Sequence, residues 1–203
     1  MKSKVIIIGA FHEIIELVEE QGFTIFGLVD NIKSGDYRGY GIIHNDYDGS
    51  ILSTKYSSIP IIISPDSPII RHKLSVLYIE AGFKSINIIS NTAKISTSSI
   101  LSEGIIIQHG VNVSAESRIG GFVKLNTYCN VMHNSVVGEF STVAPNAVIL
   151  GNVKIGNRCY IGSNATILPN LTICEDAIIG AGAVVTKHIS KPGKYSGVPA
   201  KLL

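Results

Sequence analysis

The C-terminal half of the chain places an aliphatic residue at every sixth position. The stretch IGNRCYIGSNATILPN, residues 155–170, shows this period at Ile155, Ile161 and Ile167. Six residues fit neither an α-helix, with roughly 3.6 residues per turn, nor the alternation of a flat strand. Sixteen residues form the unbroken series: Ile95, Leu101, Ile107, Val113, Ile119, Leu125, Val131, Val137, Val143, Ile149, Ile155, Ile161, Ile167, Ile173, Ile179 and Val185.

A hexapeptide period is a signature of β-helices. Each hexad forms one short strand and a turn, and three hexads close one triangular coil, so the aliphatic side chains point inward and stack from coil to coil. The fourth residue after each aliphatic position is small or apolar, as at Cys159 and Ala165. The series predicts a parallel β-helix within residues 93–203, whereas an amphipathic β-sandwich would show variable spacing.

Residues 1–92 have a different pattern, which is typical of a small α/β domain of the Rossmann type. The run KVIIIGA is continuous and apolar, as in a buried parallel strand, and HEIIELVEEQG reads as an amphipathic helix that stops at Gly22. We predict strands at 4–10, 23–31, 58–64 and 83–90, helices at 12–22 and 66–82, and a long loop at 32–57. The chain is therefore predicted to have two domains, 1–92 and 93–203.

Composition narrows the function classes. The 203 residues carry a formal net charge of +2 and no basic tract, so a nucleic-acid partner is not expected. No apolar stretch is long enough to span a membrane. The three cysteines form no CxxC pair or disulfide framework. These features predict a cytoplasmic protein that binds neither nucleic acid nor membrane.

The repeat also predicts which residues are neighbours on adjacent coils. Residues eighteen apart occupy equivalent places, so His133 lies between two small residues, Ala115 and Gly151. A histidine can accept a proton near neutral pH, and an unobstructed Gly151 N–H can stabilise an oxyanion. His133 and the Gly151 N–H could therefore supply both groups of an acyl-transfer site, and on spacing alone a solvated surface histidine is the alternative.

Several motifs resemble a known family. The hexads are similar to those of the hexapeptide-repeat acyltransferases, and the tail YSGVPAKLL is similar to the closing G-x-P-A-K of that family. The segments NTYCNVMHNSVVGEF and VAPNAVILGNVKIGNRCYIGSNATILPN resemble bacterial nucleotide-sugar N-acetyltransferases of the PglD/NeuD type. The resemblance implies a left-handed β-helix, a homotrimer with active sites between subunits, and acetyl-CoA as cosubstrate.

The resemblance also implies roles for individual residues. His133 matches the general base, Asn126 matches an asparagine of the site, and Gly151 matches the glycine whose amide binds the acetyl carbonyl. Asn134 stands where the family often has an acidic residue after the catalytic histidine. An asparagine cannot stabilise an imidazolium by charge, which leaves open the residue that orients His133.

Coenzyme A carries phosphates, which favour cationic side chains. The last fifty residues contain an excess of them: Lys154, Arg158, Lys187, Lys191, Lys194 and Lys201. The segment IIGAGAVVTK, which includes Ala181, resembles the region along which the family binds the cosubstrate. We predict Gly151, Ala181, Lys187, Lys191 and Lys201 as coenzyme A contacts, with ordinary surface lysines as the alternative.

The N-terminal domain is expected to bind the second substrate. The loop from Gly9 through Ala10 and Phe11 to His12 joins a strand to a helix N-terminus, which can bind phosphate. The loop lacks the G-x-G-x-x-G pattern of a dinucleotide site. The resemblance implies a nucleotide-linked sugar there, with Asp30 and Asn31 near the base.

These observations predict an acetyl-CoA-dependent N-acetyltransferase acting on a nucleotide-linked amino sugar, of the 4-amino-4,6-dideoxy type, in bacterial surface glycan (lipopolysaccharide O-antigen) biosynthesis. No metal is expected. One alternative is O-acetylation of a sugar such as sialic acid. A β-helical metalloenzyme would need about three histidine ligands, and a non-catalytic nucleotide-sugar binding protein would need no base at all.

Overall fold

The computed structural model describes residues 3–45 and 49–203. The N-terminal part is a five-stranded sheet with the order β3-β4-β2-β1-β5. Its elements are β1 (Lys4–Ile8), α1 (His12–Glu20), β2 (Thr24–Val29), β3 (Asp36–Tyr37), β4 (Tyr40–His44), α2 (Gly49–Tyr56), β5 (Ile61–Ile63) and α3 (Pro68–Glu80). β1 pairs in parallel with β2 and β5, and the parallel β1–β2 pair joined by α1 agrees with the predicted Rossmann-type pattern.

The apolar pattern of this region explains its packing. β1 is buried on both faces, so it reads as a continuous apolar run rather than an alternating one. Helix α1 buries Ile14, Ile15, Leu17 and Val18 and exposes its glutamates. Ser67 is the N-cap of α3: its side chain accepts a hydrogen bond from the Ile70 N–H, and Pro68 occupies the first turn.

Two local predictions differ from the structure. The predicted loop at 32–57 contains the hairpin β3–β4 and helix α2, because Tyr37, Tyr40 and Ile42 pack against the apolar cluster under α1; residues 46–48 of that loop lie outside the described residues. In the predicted strand 83–90, only Ser85 bridges to β5, at Ile61. Its end forms β6 (Ile88–Ile89), which pairs with the C-terminal part instead. The division between residues 92 and 93 stays a prediction.

The C-terminal part is a three-sided column of short parallel strands. Its strands are β6 (Ile88–Ile89), β7 (Lys94–Ile95), β8 (Ile100–Leu101), β9 (Ile106–Ile107), β10 (Asn112–Val113), β11 (Arg118–Ile119), β12 (Lys124–Leu125), β13 (Asn130–Val131), β14 (Val136–Val137), β15 (Thr142–Val143), β16 (Val148–Ile149), β17 (Lys154–Ile155), β18 (Tyr160–Ile161), β19 (Thr166–Ile167), β20 (Thr172–Ile173), β21 (Ala177–Ile179), β22 (Val184–Val185), β23 (Gly193–Ser196) and β24 (Lys201–Leu202). Val113 pairs with Val131, and Val131 with Ile149, so equivalent residues are eighteen apart, as predicted.

The column has three faces and three corners. The docking face contains β6, β9, β12, β15, β18, β21, β23 and β24; the second face contains β7, β10, β13, β16, β19 and β22; the third face contains β8, β11, β14, β17 and β20. In the coil that begins with β12, corner 1 is residues 126–129, corner 2 is 132–135 and corner 3 is 138–141. Equivalent residues eighteen positions away belong to the same corner of another coil.

The turns explain why asparagine recurs beside the aliphatic residues. The third residue after the aliphatic position has a positive φ in turn after turn: Glu116, Phe122, Tyr128, Asn134, Phe140, Asn146, Asn152, Arg158, Asn164, Asn170 and Asp176. Among residues with a side chain, asparagine and aspartate tolerate this left-handed conformation best. The left-handed backbone at residue 134, with a φ of 59°, therefore favours asparagine independently of any role of its side chain.

The N-terminal part packs against the docking face through a buried arginine. Arg71 of α3 has no exposed surface. Its guanidinium donates hydrogen bonds to the backbone carbonyls of Phe122, Phe140 and Ser141 and to the Thr142 hydroxyl. Burial lowers the pKa of Arg71 to about 10, which leaves it protonated at neutral pH. These bonds fix α3 against the column.

The tail closes the last coil. Strand β23 pairs in parallel with β21, and β24 folds back antiparallel to β23, so that Tyr195 lies opposite Leu202. Tyr195 and Ala200 also pack against the apolar interior of the column. The tail therefore covers one end of the stack.

Candidate active site

His133 lies at corner 2, directly against Gly151 of the next coil. A Cβ atom built on Gly151 would lie 2.6 Å from both Cε1 and Nε2 of His133, so only glycine leaves room for the imidazole. The Gly151 N–H donates no hydrogen bond to another described residue, whereas its carbonyl accepts one from Asn170. An exposed imidazole therefore stands beside an unused peptide N–H, as the eighteen-residue register predicts.

Asn134 contacts the imidazole from its own corner. Its Oδ1 is 3.0 Å from His133 Nδ1. A carbonyl oxygen can only accept, so Nδ1 carries the hydrogen and Nε2 keeps the lone pair that a base needs. The left-handed turn of Asn134 is anchored by its N–H, which donates to the Ala115 carbonyl. Among the described residues, Asn134 is the hydrogen-bond partner of the His133 imidazole.

Asn126 lies at corner 1, one side of the triangle away from His133. Strand β13 separates the two residues in the same coil. The Asn126 side chain is 5% exposed, and its Nδ2 donates to Asp66 of the N-terminal part at 3.2 Å. One copy of the chain therefore does not bring Asn126 to His133.

The predicted coenzyme A residues divide between the same two corners. Lys187 lies at corner 2, in register with Gly151 and His133, whereas Ala181 lies at corner 1. Lys191 and Lys201 follow the last complete coil. The side chains of Ala181, Lys187, Lys191 and Lys201 are all exposed. Arg158, which belongs to the cationic excess, lies at corner 3 and is ion-paired with Glu175 and Asp176 at 2.9 and 2.8 Å. Its charge is therefore neutralised.

Two polar residues of the junction between the two parts were missed by the sequence reasoning. Lys124 is 1% exposed on the docking face, and its Nζ lies 3.0 Å from Asp66 Oδ1 and 3.2 Å from the Ser64 carbonyl. Asp66 follows the carboxyl end of β5, and open α/β sheets bind ligands at the carboxyl ends of their strands. The position of an acidic residue just after a predicted strand was therefore a signal that the sequence contained. No local pattern marks a lysine on an outward strand position as buried.

Comparison with known proteins identifies similar repeats and similar folds. A model of the bacterial transferase hexapeptide family (six repeats) matches residues 152–187. PerB from Caulobacter crescentus, solved in complex with CoA and GDP-perosamine, superimposes with a TM-score of 0.92 at 29% identity, covering 99% of this chain and 97% of that chain. The chain is thus similar to the hexapeptide-repeat acyltransferases in its repeat and in its fold.

Two further solved structures resemble this acyltransferase over the full length of both chains. The acetyltransferase domain of PglB from Neisseria gonorrhoeae, in complex with acetyl coenzyme A, matches with a TM-score of 0.91 at 27% identity, covering 100% of each chain. WeeI from Acinetobacter baumannii matches with a TM-score of 0.90 at 28% identity and the same coverage. No curated protein matches significantly by sequence. The predicted family, the α/β domain followed by a left-handed β-helix, and the acetyltransferase class are confirmed.

The predicted phosphate loop of the acyltransferase lies at the N-terminus of α1. Gly9 has a φ of 90°, and a Cβ there would lie 2.7 Å from Ser64 Oγ, so the loop requires glycine. The N-cap residue, Phe11, offers no side-chain hydrogen bond, which leaves the first N–H groups of the helix available to an anion. His12 Nε2 pairs with Glu16 at 2.9 Å, and the buried Nδ1 of His12 has no hydrogen-bond partner in the part of the chain that the structure describes.

Asp30 holds this loop in place. One carboxylate oxygen accepts from the Ala10 N–H at 2.8 Å, and the other accepts from the Ile32 and Lys33 N–H groups at 2.9 Å. Burial alone would raise the pKa of Asp30, but these backbone hydrogen bonds outweigh it and lower the pKa below the usual 3.8. The carboxylate is thus occupied by the backbone, and this arrangement gives Asp30 a structural part in the site.

A cavity of about 350 Å³ lies beside Asp30, between the ends of β2 and β4. Asn31, Lys33 and His44 line it, and the buried Nε2 of His44 has no hydrogen-bond partner among residues 3–45 and 49–203. An unpaired polar atom in a cavity wall suits a polar ligand such as a nucleobase. The cavity lies where Asp30 and Asn31 were predicted to meet the base.

Two further findings concern alternative classes. Among residues 3–45 and 49–203, no group of three or more His, Cys, Asp or Glu side chains is placed to hold a metal ion. His109 and His133, the pair that a metalloenzyme reading would use, lie at corners 1 and 2. Within the same residues, no helix has both the length and the apolar character of a membrane span.

Proposed function

We propose that the protein is an acetyl-CoA-dependent N-acetyltransferase acting on a nucleotide-linked 4-amino-4,6-dideoxy sugar. The neighbour PerB was solved with CoA and GDP-perosamine, and the PglB domain was solved with acetyl coenzyme A. The observation that carries the proposal is the imidazole of His133 set against the unused N–H of Gly151. A role in bacterial surface glycan biosynthesis, in the cytoplasm, belongs to the same proposal.

The chemistry follows from these two groups. Acetyl-CoA supplies an activated acetyl group and a thiolate that can leave. His133 Nε2 accepts a proton from the sugar amine as the new C–N bond forms. The Gly151 N–H donates a hydrogen bond to the acetyl oxygen while negative charge develops on it. The imidazolium then returns its proton to the departing thiolate, so the products are the acetamido sugar and free coenzyme A.

We propose that the active enzyme is a homotrimer. Residues assigned to one site are divided between corner 1, with Asn126 and Ala181, and corner 2, with His133, Gly151 and Lys187. Corner 1 of one copy placed against corner 2 of another would complete a site. This arrangement would also bring the nucleotide sugar of one copy to the base of its neighbour.

Release of the coenzyme A thiol tests the proposal. Purified protein is mixed with acetyl-CoA and GDP-, UDP- or dTDP-linked 4-amino sugars, with free sialic acid as the hydroxyl acceptor. We expect turnover with one of the amino sugars, and His133→Ala should lower kcat by about 10²–10⁴ while acetyl-CoA still binds. Unchanged turnover in His133→Ala would refute the mechanism. Turnover with sialic acid alone would favour O-acetylation, and the lack of thiol release with every acceptor would favour a binding protein.

A further inference from the structure

Asp66 connects the nucleotide-binding part to corner 1 of the column. It lies between β5 and α3, and its backbone carbonyl accepts hydrogen bonds from the Thr142 hydroxyl at 2.7 Å and from Arg71 at 3.2 Å. Both donors are buried. The backbone of Asp66 is therefore fixed against the column, and its side chain starts from a defined position.

The Asp66 carboxylate contacts two buried polar groups. Oδ1 lies 3.0 Å from Lys124 Nζ and accepts from Asn126 Nδ2 at 3.2 Å. Burial alone would raise the pKa of Asp66, but the charge of Lys124 and the hydrogen bonds from Lys124 and Asn126 lower it below the usual 3.8. The group is therefore a carboxylate at neutral pH, and a carboxylate accepts hydrogen bonds without donating any.

This contact fixes the orientation of the Asn126 amide. The NH2 group must face the carboxylate, because the reversed amide would bring two acceptor oxygens together. The Asn126 carbonyl oxygen is then the amide atom that does not contact Asp66, and no side-chain hydrogen bond found among the described residues ends on it. Corner 1 thus presents a fixed, unused acceptor at the place where the nucleotide-binding part meets the column.

An acceptor at this place suits an amine. A primary amine that gives one hydrogen to the base keeps a second N–H to donate, and its nitrogen becomes more positive as the C–N bond forms. A hydroxyl that gives its hydrogen to the base has none left. We propose that Asp66 is a positioning residue that holds the Asn126 carbonyl toward the attacking amine. The inference rests on the proposed function, in which Asn126 of one copy completes the site around His133 of another.

A double-mutant cycle tests this role. Thiol release is measured with acetyl-CoA and the amino sugar that the wild type uses best, for Asp66→Asn, Asn126→Ala and the double variant. We expect each single variant to lower kcat by about tenfold or more, with KM for the nucleotide sugar nearly unchanged, and the double variant to equal Asn126→Ala. Multiplicative losses in the double variant, or a change in KM alone, would overturn the proposal.

Glu13→Gln is the matched control. Its Oε1 lies 3.8 Å from Lys124 Nζ, so the substitution removes the other carboxylate near the lysine without touching Asn126. It should keep kcat close to the wild-type value, whereas a loss equal to that of Asp66→Asn would show that the charge balance of Lys124 is responsible.

Asp66→Glu serves if Asp66→Asn does not fold. A glutamate still pairs with Lys124 but moves the oxygens by one carbon–carbon bond, so the same fall in kcat and the same dependence on Asn126 are expected. Wild-type kcat in Asp66→Glu would contradict the positioning role. Failure of the proposed function itself would be recognised separately, as the absence of thiol release by the wild type.

Discussion

Gly151→Ala is expected to displace the imidazole of His133, the proposed base, without removing any functional group. The new methyl group would lie 2.6 Å from His133 Cε1 and Nε2, while ordinary contacts of a Cβ begin at 3.4 Å. The ring must therefore move by about 0.8 Å. A misplacement of about 1 Å can cost a factor of about 10² in rate, which corresponds to about 2.7 kcal/mol of activation free energy. The Gly151 N–H, the proposed oxyanion donor, is kept.

Gly121→Ala provides a control in the same structural context. Gly121 also stands two residues after an aliphatic position, but at corner 3, where a Cβ would meet only the Glu103 carbonyl at 3.6 Å. Neither glycine has a positive φ, so alanine strains neither backbone. Ala115, two residues after Val113, stands at the position equivalent to Gly151 two coils earlier, so the repeat already accepts alanine there.

Steady-state thiol release and thermal unfolding, measured for both variants, separate activity from stability. We expect kcat to fall about a hundredfold in Gly151→Ala and to change little in Gly121→Ala. Wild-type kcat in Gly151→Ala would refute the idea that the imidazole acts from its place against this glycine. Equal losses in both variants would trace the effect to the fold rather than to His133.

Three further predictions follow from other contacts. Asn134→Ala should lower kcat about tenfold by freeing the imidazole, while Asn134→Asp, which keeps an acceptor for His133, should retain most of the activity in the same thiol assay. Asp30→Asn should reduce the unfolding free energy at pH 7 and weaken its dependence on pH. The lowered pKa of folded Asp30 gives stability that is present above the ordinary Asp pKa and is lost as the pH falls through the folded pKa. In urea unfolding between about pH 7 and about pH 3, the unfolding free energy of the variant should therefore change less with pH than that of the wild type, and an equal change would contradict this. The wild type should elute as three copies of the 21.7-kDa chain in light scattering. Co-refolding His133→Ala with Asn126→Ala should give more activity than the average of the two variants assayed separately, whereas activity equal to that average would contradict a shared site.

The column was predictable because its signal is strictly periodic. The aliphatic position of each hexad sets the coil length at eighteen residues. This spacing alone predicts that His133 and Gly151 are neighbours on adjacent coils. The small sheet was predictable from the unbroken apolar run of β1. The role of Asn134 was harder, because asparagine serves the left-handed turn throughout the repeat, and one hydrogen bond to an imidazole leaves no separate trace in the pattern.

The junction between the two parts could not be predicted in the same way. Arg71 and Lys124 read as solvated charges on a helix and a strand, and their burial depends on where α3 meets the docking face. The β3–β4 hairpin was also missed, because the Gly- and Tyr-rich segment around Asp36 and Gly39 has no alternation long enough to indicate strands. Such contacts depend on tertiary packing between segments far apart in the chain.

The tail formed by β23 and β24 has a consequence for assembly. A stack of parallel coils ends in a row of backbone N–H and C=O groups that could accept a strand from another molecule. By folding an antiparallel strand over the last coil, the chain satisfies part of this edge with its own residues. We therefore expect the tail to block head-to-tail association at this end of the column, which favours association through its sides.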